Sequence, residues 1–141
     1  YLDKNFEAKN KADQTLIDDT VKNFSLNTDQ ERALRIIANH ATDPSGEQLK
    51  MYLGGMAGTG KSQVIKALIH FFDERKEGYQ FMCVAPTGSA AAHSMLGFGK
   101  FGDSQTSLMQ VRARLLNVDY IFVDEVSMVD CNSMYNICAK M

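Results

Sequence analysis

This sequence has a small net charge, no long apolar run and no closely spaced cysteine pair. Each of these features limits the classes of protein to which the chain could belong. Fifteen Lys and Arg against seventeen Asp and Glu leave a net charge of −2 over 141 residues. The overall charge therefore does not indicate a nucleic-acid or membrane partner, and any DNA contact must come from a local basic patch. No run approaches the roughly 18 apolar residues of a membrane span, so no membrane partner is expected.

The cysteines are few and lack the spacing of a metal or redox motif. Cys83, Cys131 and Cys138 form an odd set without a CxxC pair, and no secretory signal is visible in the sequence. This pattern favours reduced thiols in an intracellular compartment. We expect the three side chains to lie in or near the core.

The composition is that of one modest globular domain. With 45% hydrophobic and 23% charged residues, the chain has enough apolar surface for a single core. It begins at Tyr1 rather than Met and stops at Met141 directly after a helical pattern, which leads us to expect a fragment.

The most informative segment is a glycine-rich loop, residues 55–62, which reads Gly-Met-Ala-Gly-Thr-Gly-Lys-Ser and completes the pattern GxxxxGKS. Glycines allow successive backbone N–H groups to turn toward the α- and β-phosphates of a nucleotide. Lys61 adds a positive charge for the β- and γ-phosphates, and Ser62 offers a hydroxyl to Mg²⁺. The alternative is a glycine-rich turn that binds nothing. A phosphate-binding loop must follow a strand and open a helix, and the sequence predicts both.

Periodicity around this loop predicts alternating helices and strands. A loosely packed helix is expected near residues 16–24, and Thr28 to Glu31 reads as a capping box that opens a helix ending before Asp43. A strand over 48–53 should lead into the loop, and the helix after the loop should bury Val64, Ile65, Leu68, Ile69 and Phe72. The later predicted elements are a strand over 79–85 that is buried on both sides, a helix over 105–116 and a strand over 120–123. This alternation predicts an α/β fold with a parallel sheet.

Two carboxylates follow the last predicted strand. Asp124 is the candidate Mg²⁺ ligand, and Glu125 is the candidate general base that activates water. Ligands bind at the carboxyl ends of strands in open α/β sheets, which is where this pair lies. The alternative is a solvated acidic pair that caps the helix after Ser127.

Three motifs in order make the chain resemble a known family. They are the loop with its preceding glycine (54–62), Ala-Pro-Thr-Gly-Ser-Ala-Ala (85–91) and Val-Asp-Glu-Val-Ser-Met (123–128). Together they resemble the N-terminal ATP-binding half of superfamily 1B DNA helicases of the PIF-one type, with the helicase part of Helitron-like transposon proteins nearest. The resemblance implies an incomplete P-loop NTPase fold of the RecA-like, three-layer type over residues 26–141, with 1–25 as a partly helical lead-in.

The resemblance also assigns roles to single residues. It implies that Gln30 reads the adenine, although an ordinary polar residue in a first helical turn is the alternative. The implied catalytic residues are Lys61, Asp124 and Glu125, with Ser62 and Asp124 holding Mg²⁺ for the substrate ATP. The implied nucleotide-binding residues are Gln30, Gly55, Met56, Ala57, Gly58, Thr59, Gly60, Lys61 and Ser62.

The expected DNA contacts are fewer. Pro86, Thr87 and Gly88 match the helicase motif that touches phosphates of single-stranded DNA, and a strand-terminating turn is the alternative. His93 matches a family histidine, but the glycine- and threonine-rich segment that should precede it is missing. His93 is therefore either a DNA or coupling residue, or a surface or packed histidine. Arg112 and Arg114 are read as solvated or salt-bridged.

The resemblance implies an ATP-dependent 5′ to 3′ DNA helicase with repair or recombination roles. It also implies a second RecA-like domain, whose arginine stabilises charge on the γ-phosphate. The sequence ends before such a domain, so this chain by itself is expected at most to bind ATP and Mg²⁺. The alternative is a truncated or decayed nucleotide-binding module. A nuclear location follows only from the implied DNA function, and the oligomeric state is left open.

Overall fold

The computed structural model describes residues 8, 10–43, 48–56, 58–84, 113, 115–129, 131 and 135. The chain divides into two compact units, Tyr1–Lys76 and Glu77–Met141. The first unit contains three described helices, and the second contains a pair of parallel strands. None of the described helices combines the length and apolar character that crossing a membrane requires.

Helix α1 spans Lys11–Asn23 and is better packed than its sequence suggests. The side chain of Asn10 caps it by accepting a hydrogen bond from Ala12 N at 3.0 Å. Ile17 and Thr20 are fully buried, and the Thr20 hydroxyl donates to Leu16 O at 2.7 Å. The buried hydroxyl is thus satisfied within its own helix.

The end of α1 is a Schellman motif built without glycine. Ser25 N donates to Lys22 O, and Leu26 N donates to Val21 O. Ser25 has φ 47°, in the left-handed region that glycine usually supplies. The motif turns the chain at once into the next helix.

Helix α2 spans Thr28–Thr42 and ends before Asp43, as predicted. Its capping box is offset by one residue from the prediction. Asn27, not Thr28, is the N-cap, and its side chain accepts from Gln30 N at 3.0 Å while Gln30 Oε1 accepts from Asn27 N at 3.0 Å. Both residue types suit their positions, so the sequence alone allowed either choice.

Helix α3 spans Lys61–Glu74 and begins inside the glycine-rich loop. The core of the first unit lies among the three helices and includes Leu34, Leu68, Phe71 and Phe72, all fully buried. Phe71 and Phe72 meet edge to face with ring centroids 5.5 Å apart.

Arg35 and Arg75 each form an ion pair with an aspartate of α1. Arg35 of α2 contacts Asp18 at 2.7 Å and Glu31 at 2.8 Å. Arg75, just past α3, pairs with Asp13 and lies over the Phe71 ring at 5.6 Å. The aliphatic stem and the charge of Arg75 are therefore both engaged, although it lies in the turn after α3.

The predicted strand over 48–53 is not present in the described residues 48–56, which form no regular element. Met51 and Tyr52 are exposed there, Tyr52 to 77%. A strand requires a neighbouring chain to complete its hydrogen-bond ladder, and the two described strands pair with each other.

The second unit is built on a parallel pair of strands. After a 3₁₀ turn at Gly78–Gln80, strand β1 spans Phe81–Val84 and pairs in parallel with β2, Tyr120–Val123. The register sets Phe81 opposite Tyr120 and Val84 opposite Val123. The parallel sheet is thus confirmed for these two strands, and the start of β1 is two residues later than predicted.

The strands are less buried than their apolar sequence indicates. Met82 is buried against the partly buried side chains of Leu115, Val118, Ile121 and Val123. Cys83 is exposed, and all four residues of β2 are half-buried. The predictions that the cysteines lie in the core and that β1 is covered on both sides are therefore wrong for Cys83, and Cys131 is exposed as well.

Candidate nucleotide-binding site

The glycine-rich loop forms a tight turn that leads directly into α3. Thr59 N and the Thr59 hydroxyl both donate to Met56 O, at 3.3 and 2.9 Å. Gly58 and Gly60 have φ near +82° and +81°, which side chains other than glycine rarely adopt. The backbone therefore takes the left-handed conformations that a phosphate-binding loop requires. Ala57 lies outside the described residues.

Glycine is also needed at position 55 for space. A Cβ there would lie 2.6 Å from Thr59 Oγ1, closer than such atoms approach in proteins. The close approach keeps the two ends of the loop together. The glycines at the two ends of the pattern, Gly55 and Gly60, are thus required for steric reasons, Gly55 for space and Gly60 for its backbone φ.

The lysine of the motif folds back over the loop. Lys61 Nζ donates to Gly55 O at 2.8 Å and to Met56 O at 3.0 Å. Both acceptors are loop carbonyls, so the ammonium group lies at the mouth of the loop. A phosphate that enters the loop meets this charge at once.

The N-terminus of α3 is open to a ligand. Helices α1 and α2 begin with asparagine side chains that bond to their first N–H groups, whereas α3 begins at Gly60, which has no side chain. The first turn of α3 also lacks an acidic residue, unlike the first turns of α1 and α2. Its N–H groups and positive dipole end are thus arranged for an anion.

Gln30 reaches the loop from α2. Its Nε2 donates to Thr59 O and to Gly60 O, each at 3.3 Å. A Cβ on Gly60 would lie 2.2 Å from the same nitrogen, which shows how closely the amide packs on the loop. The structure therefore brings Gln30 to the phosphate loop, and the adenine contact stays a prediction.

Asp124 and Glu125 follow β2 directly, as predicted. Asp124 Oδ1 accepts a hydrogen bond from Glu125 N at 2.9 Å. Glu125 has φ 52°, a left-handed conformation that costs about 1 to 3 kcal/mol in a residue with a side chain. Strain of this kind persists where the surrounding fold holds it, and it is frequent in functional sites.

The oxygen donors fit a magnesium ion in chemical type. Ser62 is exposed in the first turn of α3, and Asp124 contributes a carboxylate; hydroxyl and carboxylate oxygens are ligands that Mg²⁺ accepts. Among the described residues, no group of three or more His, Cys, Asp or Glu side chains could hold a metal by itself.

Cys83 is a neighbour of Asp124 that the sequence did not reveal. Although part of its surface is exposed, the atoms packed around its sulfur, and secondarily the charge of Asp124, raise the pKa of the Cys83 thiol. The register places Cys83 opposite Phe122, two residues before Asp124. Parallel pairing of the two strands could have indicated this proximity.

A second glutamine contact was also missed. Gln63 Nε2, in the first turn of α3, donates to Phe24 O at 3.1 Å. The Phe24 ring lies 5.4 Å from the His70 ring. The turn after α1 is thus tied to the helix that carries Lys61 and Ser62.

The residues that are expected to contact DNA are not among those that the structure describes. Pro86, Thr87, Gly88 and His93 lie outside the described residues, as do Arg112 and Arg114. Lys61 and Ser62 belong to the first unit and Asp124 and Glu125 to the second.

Comparison with known proteins agrees with these motifs. A family model described as "AAA domain" matches residues 25–141. The chain is 32% identical over 128 residues to the ATP-dependent DNA helicase PIF1 of Trypanosoma brucei brucei, an alignment that covers 87% of this chain and 12% of that protein. None of the solved structures matches the chain.

The predicted resemblance to PIF-one-type helicases is therefore confirmed, and the AAA domain match implies a P-loop NTPase fold. The chain spans about an eighth of the length of the curated relative that it matches. From the matched residues 25–141, which include the phosphate loop and the Asp124-Glu125 pair, we conclude that the chain belongs to the AAA domain family, as a fragment like the N-terminal part of a PIF1-type helicase.

Proposed function

We propose that this chain is the ATP-binding part of a 5′ to 3′ DNA helicase motor. The observation that carries the proposal is the loop of residues 55–62, which ends in an uncapped, acid-free helix N-terminus with Lys61 at its mouth. Such a loop suits the phosphates of ATP. Similarity to a protein named as an ATP-dependent DNA helicase supports the choice of a motor over other ATP-binding proteins.

Each residue has a specific task in the proposed reaction. The loop N–H groups and Lys61 bind the phosphates, and Ser62 and Asp124 would hold Mg²⁺, which supplies charge neutralisation at the β- and γ-phosphates. The Glu125 carboxylate accepts a proton from the attacking water. Glu125 lies directly after β2, at the carboxyl end of a strand, where ligands of open α/β sheets bind.

The remaining assignments rest on family likeness. The proposed fold is the RecA-like, three-layer arrangement of a parallel sheet between helices. Single-stranded DNA is the proposed partner, with repair, recombination or Helitron-type transposition as the setting and the nucleus as the compartment. A decayed nucleotide-binding module, the second candidate, is favoured by the missing segment before His93.

Phosphate release by the 141-residue chain, with and without single-stranded DNA, tests the proposed chemistry. We expect slow hydrolysis, because a γ-phosphate arginine raises the rate by roughly three to five orders of magnitude and the resemblance assigns it to another domain. Glu125→Gln should abolish the residual rate and retain Mg·ATP binding, since it removes the base and keeps the shape. Glu74→Gln, at the exposed end of α3, is the matched control.

Two outcomes would contradict the proposed roles. Hydrolysis by Glu125→Gln at the rate of the unsubstituted chain would remove Glu125 as the base. Hydrolysis that single-stranded DNA leaves unchanged, in a longer form carrying the second domain, would favour the nucleotide-binding module over the motor.

A further inference from the structure

The Gln30 amide is engaged on both sides in this structure. Its Oε1 accepts from Asn27 N at 3.0 Å, and its Nε2 donates to Thr59 O and Gly60 O. The first bond belongs to the capping box that starts α2. The others reach about thirty positions along the chain to the phosphate loop, so a single side chain joins a helix start to the loop.

The two loop acceptors determine where the neighbouring N–H groups point. In a planar trans peptide the C=O and the following N–H point in opposite directions. Because Thr59 O faces Gln30, the N–H group of Gly60 faces away from it. Gly60 O accepts both from Gln30 and, at 2.9 Å, from Gln63 N, so the Lys61 N–H is oriented by Gln30 together with the first turn of α3. These N–H groups are among those that a phosphate-binding loop offers to its ligand.

We propose that Gln30 is a positioning residue that holds the phosphate loop in its binding conformation, whatever base the nucleotide carries. This inference rests on the proposed function, because it assumes that the loop binds polyphosphate. It differs from the adenine assignment, in which the amide would contact the base. The same Nε2 occupies the space that a side chain at Gly60 would need, so the loop contact also depends on glycine at position 60.

Gln30→Glu separates the two roles of the side chain. Glutamate at this position can still accept from Asn27 N, because Glu and Gln are both capping-box residues. It cannot donate to Thr59 O and Gly60 O, and its carboxylate would face two carbonyl oxygens. Helix α2 should thus keep its start while the loop loses its support.

The test compares ligands with and without a base. Binding of Mg·ATP and of Mg·tripolyphosphate is measured by calorimetry for the 141-residue chain and its variants. We expect Gln30→Glu to weaken both ligands by a similar factor of about tenfold, the value of one or two hydrogen bonds. Gln30→Ala, which removes the donor without adding repulsion, should weaken both by a smaller common factor.

Gln48→Glu is the matched control. It makes the same chemical change at an exposed position of the same unit and adds the same negative charge. It should leave both affinities within about twofold of the unsubstituted chain, since a solvated charge is strongly screened. Melting temperatures without ligand should be similar for Gln30→Glu and Gln48→Glu, which separates loop positioning from loss of folding.

Three outcomes would contradict the inference. Loss of ATP affinity with unchanged tripolyphosphate affinity in both Gln30 variants would overturn the inference and assign Gln30 to the base. Unchanged affinity for both ligands would also overturn it while leaving the proposed function intact. If the unsubstituted chain binds neither ligand, the proposed function fails and the inference fails with it.

Discussion

At the scale of single residues, the side chains of the phosphate loop are explained by the bonds they make. Lys61 bonds to the carbonyls of Gly55 and Met56, and Gly60 leaves the start of α3 without a side-chain cap. The motif GxxxxGKS predicted a glycine-rich loop that opens a helix, and the start of α3 agrees with it. The bonds of Lys61 to the loop carbonyls were not predicted, and its role toward phosphate stays a prediction. The contact between Gln30 and the loop was not predictable, since it joins positions far apart in the sequence.

The Cys83 thiol provides a probe of the Asp124 carboxylate. Burial and the Asp124 charge raise the pKa of Cys83. The reactive thiolate should therefore form at a higher pH than it does for an ordinary cysteine thiol. Asp124→Asn removes the second cause and should lower the pKa of Cys83, while the effect of burial remains. Alkylation by iodoacetamide, followed at Cys83 by peptide mass spectrometry against pH, measures the shift.

The comparison needs a control on the same strands. Asp119→Asn removes an exposed carboxylate just before β2 and should leave the alkylation profile of Cys83 unchanged. An identical profile for Asp124→Asn and the unsubstituted chain would show that Asp124 does not act on the thiol. A shift to higher pH would contradict the sign of the interaction.

At the scale of elements, α1 is an integral part of the first unit. It lies outside the matched residues 25–141, yet it buries Ile17 completely and pairs with α2 and α3 through Asp18 and Asp13. The proposed boundary at residue 25, with a separate lead-in, stays a prediction about domains. Because α1 packs against the other helices of this unit, we expect its removal to destabilise α3, the helix that carries Lys61.

Ile17→Ala tests the contribution of α1. The substitution removes a fully buried side chain and should lower the free energy of unfolding by about 2 to 4 kcal/mol through lost burial and a cavity. Ile69→Ala is the matched control, because Ile69 is 41% exposed on α3, and its cost should be about 1 kcal/mol or less. Urea denaturation measures both, and equal losses would contradict the packed position of α1.

Ile69 is a position at which the core predicted for α3 differs from the structure. The apolar pattern of α3 placed Val64, Ile65, Leu68 and Phe72 correctly in the core. It placed Ile69 there as well, but Phe71 takes that role. Ile69 and Phe71 point to nearly opposite sides of the helix, because positions two apart do not share a face. The i, i+4, i+7 repeat from Val64 through Leu68 to Phe71 marks the buried side, whereas apolar residue type alone does not separate the two.

The strands illustrate a different limit. A strand was predicted over 79–85 from its apolar run and another over 120–123 from β-branched and aromatic residues. The observed strands, 81–84 and 120–123, pair in parallel. Residues 48–53 have a similar apolar character but form no strand in the described structure. Pairing depends on a partner strand, and a local sequence does not contain that information.

At the scale of the whole molecule, the chain contains two groups of site residues on two units. The loop, Lys61 and Ser62 lie on the first, and Asp124 and Glu125 lie on the second. These two groups together indicated ATP chemistry, and the family was indicated only when the segment 85–91 was added to them. The activity of a complete motor is a property that we propose for a longer protein, since the chain covers 12% of its curated relative.

The most direct test of the central claim is a calorimetric titration of the 141-residue chain with Mg·ATP, compared with Lys61→Ala and with Lys66→Ala. Lys66 lies exposed on the same helix, so its loss changes the net charge equally without touching the loop. We predict that the unsubstituted chain and Lys66→Ala bind Mg·ATP alike and that Lys61→Ala binds about tenfold or more weakly, because a charge-assisted bond to phosphate is lost. Equal binding by all three chains, or no binding by the unsubstituted chain, would contradict the claim that this loop is an ATP site.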